Sequence, residues 1–100
     1  METTMEIIKT VEGSKATIRP EGWLDTKTTP ELAEVIDSLP AEITEMVLDL
    51  EALEYISSAG LRQVVAMHKK MNGNLTLVNA GTELLEIFKM TGFDKKLNFA

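Results

Sequence analysis

In Leu53-Glu54-Tyr55-Ile56-Ser57-Ser58-Ala59-Gly60-Leu61 an apolar strand ends, two hydroxyl residues follow and a helix begins. The rest of the chain reads as support for that junction. A serine oxygen accepts the otherwise unpaired N–H groups of a first helical turn, so one of Ser57 and Ser58 caps a helix that begins at Ala59 or Gly60. The other hydroxyl is left exposed at the positive end of a helix dipole, where a phosphate group would be tolerated.

Working outward, the helix runs from about Ala59 to Met71 and sets Leu61, Val64, Val65, His68 and Met71 on one side, with Arg62, Gln63, Lys69 and Lys70 opposite. Asn72-Gly73-Asn74 closes it. On the other side of the junction, Met46 to Leu50 is a short run, apolar on both faces apart from Asp49, which predicts a central strand covered on both sides.

Further upstream, Met5, Ile7 and Val11 alternate with polar residues, Glu12-Gly13-Ser14-Lys15 supplies turn chemistry, and Ala16 to Ile18 resume an extended pattern. This predicts an opening hairpin whose second strand ends near Pro20 or lies on an edge, because proline cannot donate to a ladder. Thr29 is the expected N-cap of the next helix, with Pro30 in its first position. Leu32, Val35, Ile36 and Leu39 make its stripe and Pro40 stops it. Downstream, Leu75 to Val78 is a strand, and Thr82 is expected to cap a helix that turns Leu84, Leu85, Ile87 and Phe88 inward until Gly92. Phe93, Leu97 and Phe99 complete the core in a tail that forms a last helical turn or an edge strand. The order β-β-α-β-α-β-α implies an α/β fold, a mixed sheet of four to five strands packed with crossover helices.

One hundred residues suit a single domain spanning residues 1–100. With no cysteine there is no disulfide framework and no thiolate chemistry, which fits a reducing cytoplasm. A net charge of −6 argues against nucleic acid as the main partner. The apolar runs are far shorter than a membrane span, and Met1 to Thr10 lacks the regions of a signal peptide, so a soluble, unprocessed chain without direct membrane insertion is expected.

Val47 to Arg62, with its Ile56-Ser57-Ser58-Ala59-Gly60-Leu61 core, resembles the signature of STAS domains of the bacterial anti-sigma factor antagonist type. Gly22-Trp23-Leu24-Asp25 and Thr91-Gly92-Phe93-Asp94-Lys95 extend the resemblance over nearly the whole chain. It implies a STAS-type domain whose phosphorylated hydroxyl, two residues before the Gly-Leu pair, is Ser58. Many relatives carry an acidic residue just before that serine, where this chain has Ser57. It also implies a partner switch that is not an enzyme. The unphosphorylated form binds an anti-sigma factor that is also a serine kinase and frees a sigma factor. Phosphorylation reverses this, and a serine/threonine phosphatase restores the first state. The partner-binding surface would comprise Trp23, Asp25, Ser57, Ser58, Ala59, Gly60 and Arg62. The alternative within the same family is a constitutive interaction subunit of a membrane-associated complex, such as one for lipid transport.

Other chemistry is weaker. His68 is the only histidine and there is no cysteine, so no common transition-metal site can be completed and a partly buried structural role is expected. The turn at Ser57-Ser58 lacks the G-x-S-x-G pattern of a nucleophile elbow, and His68 lies about 15 Å further along the helix. A phosphoryl-accepting Asp49 would need magnesium held by an acidic pair, whereas Glu12 and Glu21 are isolated; Asp49 is expected to receive hydrogen bonds from the following loop. No phosphate-cradling glycine loop is present, and no cofactor is expected. Asp25 has a local role as a turn residue besides the one the resemblance implies, and Trp23 is by residue type more often core than interface.

Overall fold

The computed structural model describes residues 5–100; residues 1–4, part of the Met1 to Thr10 stretch considered above, lie outside the described residues. The chain runs β1 (Met5–Glu12), β2 (Lys15–Leu24), α1 (Thr29–Asp37), β3 (Glu45–Asp49), β4 (Leu53–Ile56), α2 (Ser58–Lys70), β5 (Leu75–Val78), α3 (Thr82–Met90), a 3₁₀ turn (Phe93–Lys96) and β6 (Asn98–Phe99). Strands lie in the order β1-β2-β3-β5-β6, with β4 beside β2. Among the described residues only β1 and β2 are antiparallel; every other pairing is parallel, as crossover helices require.

Among the described residues six strands replace the four to five expected, and the tail supplies both a helical turn and an edge strand. The strand hidden in the sequence is β4. Leu53 donates its N–H to Leu50 O in a tight turn that breaks the apolar run, so Leu53–Ile56 leaves β3 and pairs with the far end of β2. Pro20 sits inside β2, not at its end. Residues 15–18 pair with β3 and residues 22–24 with β4, so residues 19–21 have no partner on that side and a missing N–H breaks no bond.

One face of the sheet is packed. Ala16, Ile18 and Leu24 of β2, Met46 and Leu48 of β3, Leu50 just after it, and Leu75 and Leu77 of β5 are buried. They join one cluster with Leu32 and Ile36 of α1, Leu61, Val64 and Met67 of α2, and Leu84 and Phe88 of α3. Each fully buried leucine contributes about 2 kcal/mol relative to exposure. The other face, with Thr17, Arg19 and Trp23 of β2 and Val47 and Asp49 of β3, is only partly covered. β3 is central as expected, yet it is fully covered on one face only, because all three helical stripes join the same cluster.

Helix ends differ in detail from the expected ones. Thr28, not Thr29, holds the N-cap position of α1, and no side chain caps it; Thr29 Oγ1 instead donates to Asp25 O at 2.6 Å. Gly81 takes the cap position of α3, so Thr82 is its first residue. In α2 the buried stripe runs through Leu61, Val64, Met67 and Met71, with Met67 in place of the expected His68. His68 is partly buried in the last turn. Asn72 and Gly73 adopt positive φ and Gly92 has φ 78°, ending α2 and α3 as the sequence indicates.

Candidate functional site

The junction is built from three neighbouring segments, the end of β2, the end of β4 and the first turn of α2. Trp23 pairs with Tyr55 and Leu24 with Ile56 across the parallel strands. Ser57 then donates its N–H to Leu24 O at 2.8 Å, extending that ladder by one rung. Ser57 Oγ accepts the N–H of Gly60 at 3.2 Å, so Ser57 is the N-cap of α2.

Gly60 is where the helix rests on the sheet. A Cβ there would lie 2.8 Å from Ile56 Cγ1, and 2.9 Å from both Leu24 Cγ and Leu24 O. The last contact is with backbone, so only a residue without a side chain lets α2 approach this closely. Glycine and the serine cap thus fix the first turn from two directions.

Ser58 is the first residue of α2 and is exposed, and no hydrogen bond engages its hydroxyl among the described residues. The first turn holds no acidic residue, whereas His68, Lys69 and Lys70 occupy the last. The N-terminal partial charge of the helix is therefore unmatched by a nearby carboxylate on α2. Ala59 is half-buried. Arg62 is exposed one turn beyond Ser58 and makes no salt bridge among the described residues.

The loop that follows β2 is tied together by hydrogen bonds centred on Thr28. Thr28 is 1% exposed, and its hydroxyl accepts from Asp25 N at 2.9 Å while donating to Trp23 O at 2.6 Å. Asp25 Oδ1 in turn accepts the N–H groups of Lys27 and Thr28 at 2.9 and 3.0 Å. The Thr28 N–H is the chief cause that holds the Asp25 carboxyl below its ordinary range; desolvation opposes it, and Lys27 N–H, the Thr28 hydroxyl and the Lys27 charge add to it. Asp25 is thus a turn residue in its contacts. The Asp-x-x-Thr spacing was the available signal for Thr28.

Trp23 departs from the core placement common for its type. It is 47% exposed and Tyr55 is 40% exposed, with ring centroids 5.0 Å apart on the open side of the sheet. Tyr55 was also missed, because β4 reads buried, exposed, exposed, buried and its register against β2 shifts between Gly22 and Trp23, so no alternation marks it.

Asp49 lies apart from this turn. Its Oδ1 accepts from Glu51 N and Asn79 Nδ2 at 3.0 and 3.1 Å, and Arg19 stands 3.6 Å from Oδ2. Desolvation alone would raise its pKa, but those two hydrogen bonds and the arginine together lower it. The following loop supplies one of these bonds, from Glu51, as expected; the other comes from Asn79 just after β5. An open groove of about 650 Å³ lies between β4 and the start of α3, with Glu51, Glu54 and Glu83 among its lining residues. Three carboxylates make it a poor seat for an anion. Among the described residues no three metal-ligating side chains come together, and no helix is long and apolar enough to cross a membrane.

Comparison with known proteins matches the STAS domain family model over residues 4–100. BtrV of Bordetella bronchiseptica, provisionally named an anti-sigma factor antagonist, is 43% identical over 51 residues, covering 48% of this chain and 44% of that protein. The chain thus spans less than half the length of that curated relative. Among solved structures, an anti-sigma factor antagonist from Mycobacterium paratuberculosis has a TM-score of 0.84 at 23% identity, covering 96% of this chain and 85% of that one. Unphosphorylated SpoIIAA has a TM-score of 0.77 at 19% identity, covering 97% and 88%. At these identities the structural likeness shows the fold.

Proposed function

The chain belongs to the STAS domain family, and from that premise we propose that it is an anti-sigma factor antagonist that exchanges partners according to the phosphorylation state of Ser58. Residues 1–100 act as one binding domain in the cytoplasm, as a substrate and not as a catalyst. Unphosphorylated, the domain binds an anti-sigma factor that is also a serine kinase, and a sigma factor is freed. Phosphorylation by that kinase releases the domain, and a serine/threonine phosphatase resets it. The names of BtrV, the mycobacterial protein and SpoIIAA support the role in general terms.

One observation carries the reading. Two adjacent serines divide the labour, with Ser57 used as the cap and Ser58 left exposed in a first helical turn that carries no carboxylate of its own. A phosphate on Ser58 takes the net charge from −6 to about −8 and sits where the helix dipole favours it. The fold tolerates the group while the interface does not. Burying a dianion against a partner without a matching arginine costs several kcal/mol, and about 4 kcal/mol is roughly a thousandfold in affinity. In this reading Trp23, Asp25, Ala59, Gly60 and Arg62 surround the serines on the docking surface, and Arg62 meets acidic groups of the kinase.

The test is incubation with ATP and the serine kinase encoded nearest to the chain, with the added phosphate located by fragment mass spectrometry in the unaltered chain, Ser57→Ala and Ser58→Ala. One phosphate on Ser58, lost only in Ser58→Ala, is expected. Phosphate on Ser57 would shift the assignment by one residue. No phosphate from a kinase active on another substrate would favour the constitutive subunit of a membrane-associated complex instead.

A further inference from the structure

β1 is an edge strand that, among the described residues, pairs only with β2. The register runs from Met5↔Gly22 to Glu12↔Lys15 without a bulge, and β1 holds no proline. Such an edge offers a row of unpaired N–H and C=O groups to another strand.

Which groups are free follows from the far side of β2. Gly22 donates its N–H to Ala52 O, away from β1, so Met5↔Gly22 is a pair without β1–β2 bonds. Alternation puts Ile7↔Pro20, Lys9↔Ile18 and Val11↔Ala16 in the same class, and Pro20 has no N–H to contradict it. Met5, Ile7, Lys9 and Val11 therefore aim their backbone groups outward. Beside them Ile8 is 47% exposed on the open face and Val11 is 40% exposed.

We infer that β1 pairs antiparallel with β1 of a second copy of this chain, with Ile8 opposite Ile8 on a two-fold axis. That axis stands perpendicular to the sheet and keeps each face on its own side, so opposed residues share a face and their numbers sum to an even total. Two such registers overlap most. Centred on Lys9, the pairing opposes Lys9 to Lys9 and Glu6 to Glu12, and like charges directly opposite are destabilising. Centred on Ile8, it opposes Ile8 to Ile8, Ile7 to Lys9, Glu6 to Thr10 and Met5 to Val11, with no like-charged pair.

Backbone bonding fits this register. Ile7 and Lys9 exchange both their bonds, as do Met5 and Val11, since these residues point outward. Ile8 falls at a non-bonded pair, where side chains lie closest. The two exposed isoleucines then cover each other. β4 and the serine turn lie across β2 from this edge, so the pairing is independent of the proposed switch.

The test uses the full chain, whose lack of cysteine makes an introduced thiol unique. Sedimentation equilibrium over a concentration series is expected to show a monomer–dimer equilibrium. Ile8→Cys should form a disulfide-linked dimer in most molecules under oxidised glutathione, each thiol giving up its hydrogen as the oxidant is reduced. The Cα separation of a non-bonded pair, about 4.5 Å, lies within disulfide range. Lys9→Cys should crosslink at least fivefold less. Ile8→Glu should raise the dimer dissociation constant at least tenfold while its circular dichroism melt stays two-state. A monomer at every concentration, or crosslinking of Lys9→Cys as strong as that of Ile8→Cys, would overturn the pairing, and the first result would leave the edge to a different chain.

Discussion

The helices α2 and α3 both start just beyond the C-terminal end of a parallel strand, and their first turns are finished in opposite ways. The start of α3 has Gly81 at the cap position, no side-chain cap and its own carboxylate, Glu83, in the first turn. A Cβ on Gly81 would meet nothing within 4 Å. At the start of α2 there is a serine cap, a glycine seated on backbone and no acidic residue in the first turn. One helix carries its compensating charge within its sequence; the other leaves that place open beside an exposed hydroxyl. The difference teaches that a helix N-terminus suits a switch when it is rigid and still electrostatically unfilled.

The largest expected effect tests the unfilled end directly. Ser58→Asp should weaken binding to the cognate kinase by about a thousandfold, roughly 4 kcal/mol, as measured by calorimetric titration. Its melting temperature should hold or rise slightly, since an aspartate in the first turn is favourable by about 0.3–1 kcal/mol. A largely unfolded Ser58→Asp would end the account of a purely local switch.

Next comes the seat of the helix. Gly60→Ala should destabilise the domain by about 2 kcal/mol in urea titration, because overpacking against the Leu24 carbonyl outweighs the gain of about 1 kcal/mol that alanine brings to an open helical site. A stabilised variant would mean that α2 can move away from β2. Ser57→Ala removes the cap and should cost about 1 kcal/mol, near 5 °C in melting temperature. It should leave phosphorylation of Ser58 possible. The smallest effect belongs to the other helix, where Gly81→Ser should stabilise by a few tenths of a kcal/mol. If that gain equalled the loss in Ser57→Ala, the two helix starts would be less different than their contacts suggest.

Much of this architecture was legible because the periodicities are clean. The α1 stripe of Leu32 and Ile36, the hairpin turn at Gly13 and the helix ends at Gly73 and Gly92 all express local rules that nothing distant overrides. β4 was not legible as a strand of its own. Four residues following directly on an apolar run carry no periodic signal, and what separates them is where β2 changes partners, a tertiary fact. Pro20 was misplaced for the same reason, since a proline is tolerated in a central strand only where the neighbouring strands part.

The candidate site was legible at Ser57-Ser58 and less so around it. Two serines in sequence cannot say which of them caps; the Ser57–Leu24 bond decides it, and that bond exists because β4 lies against β2. Thr28 is buried by the loop it holds together, so its composition alone reads as surface. Residue type leaves Trp23 between core and interface, and it faces outward because all three helices pack on the other face of the sheet.

Gly60 also bears on time. With its Cβ position 2.9 Å from a carbonyl oxygen, the first turn of α2 has no room to settle closer to the sheet. On the proposed reading, then, no slow rearrangement stands between the chemistry at Ser58 and its readout. The domain would then record its state in a covalent ester and not in a shape. Its memory would last as long as that ester, at a pace set by the enzymes that write and erase it.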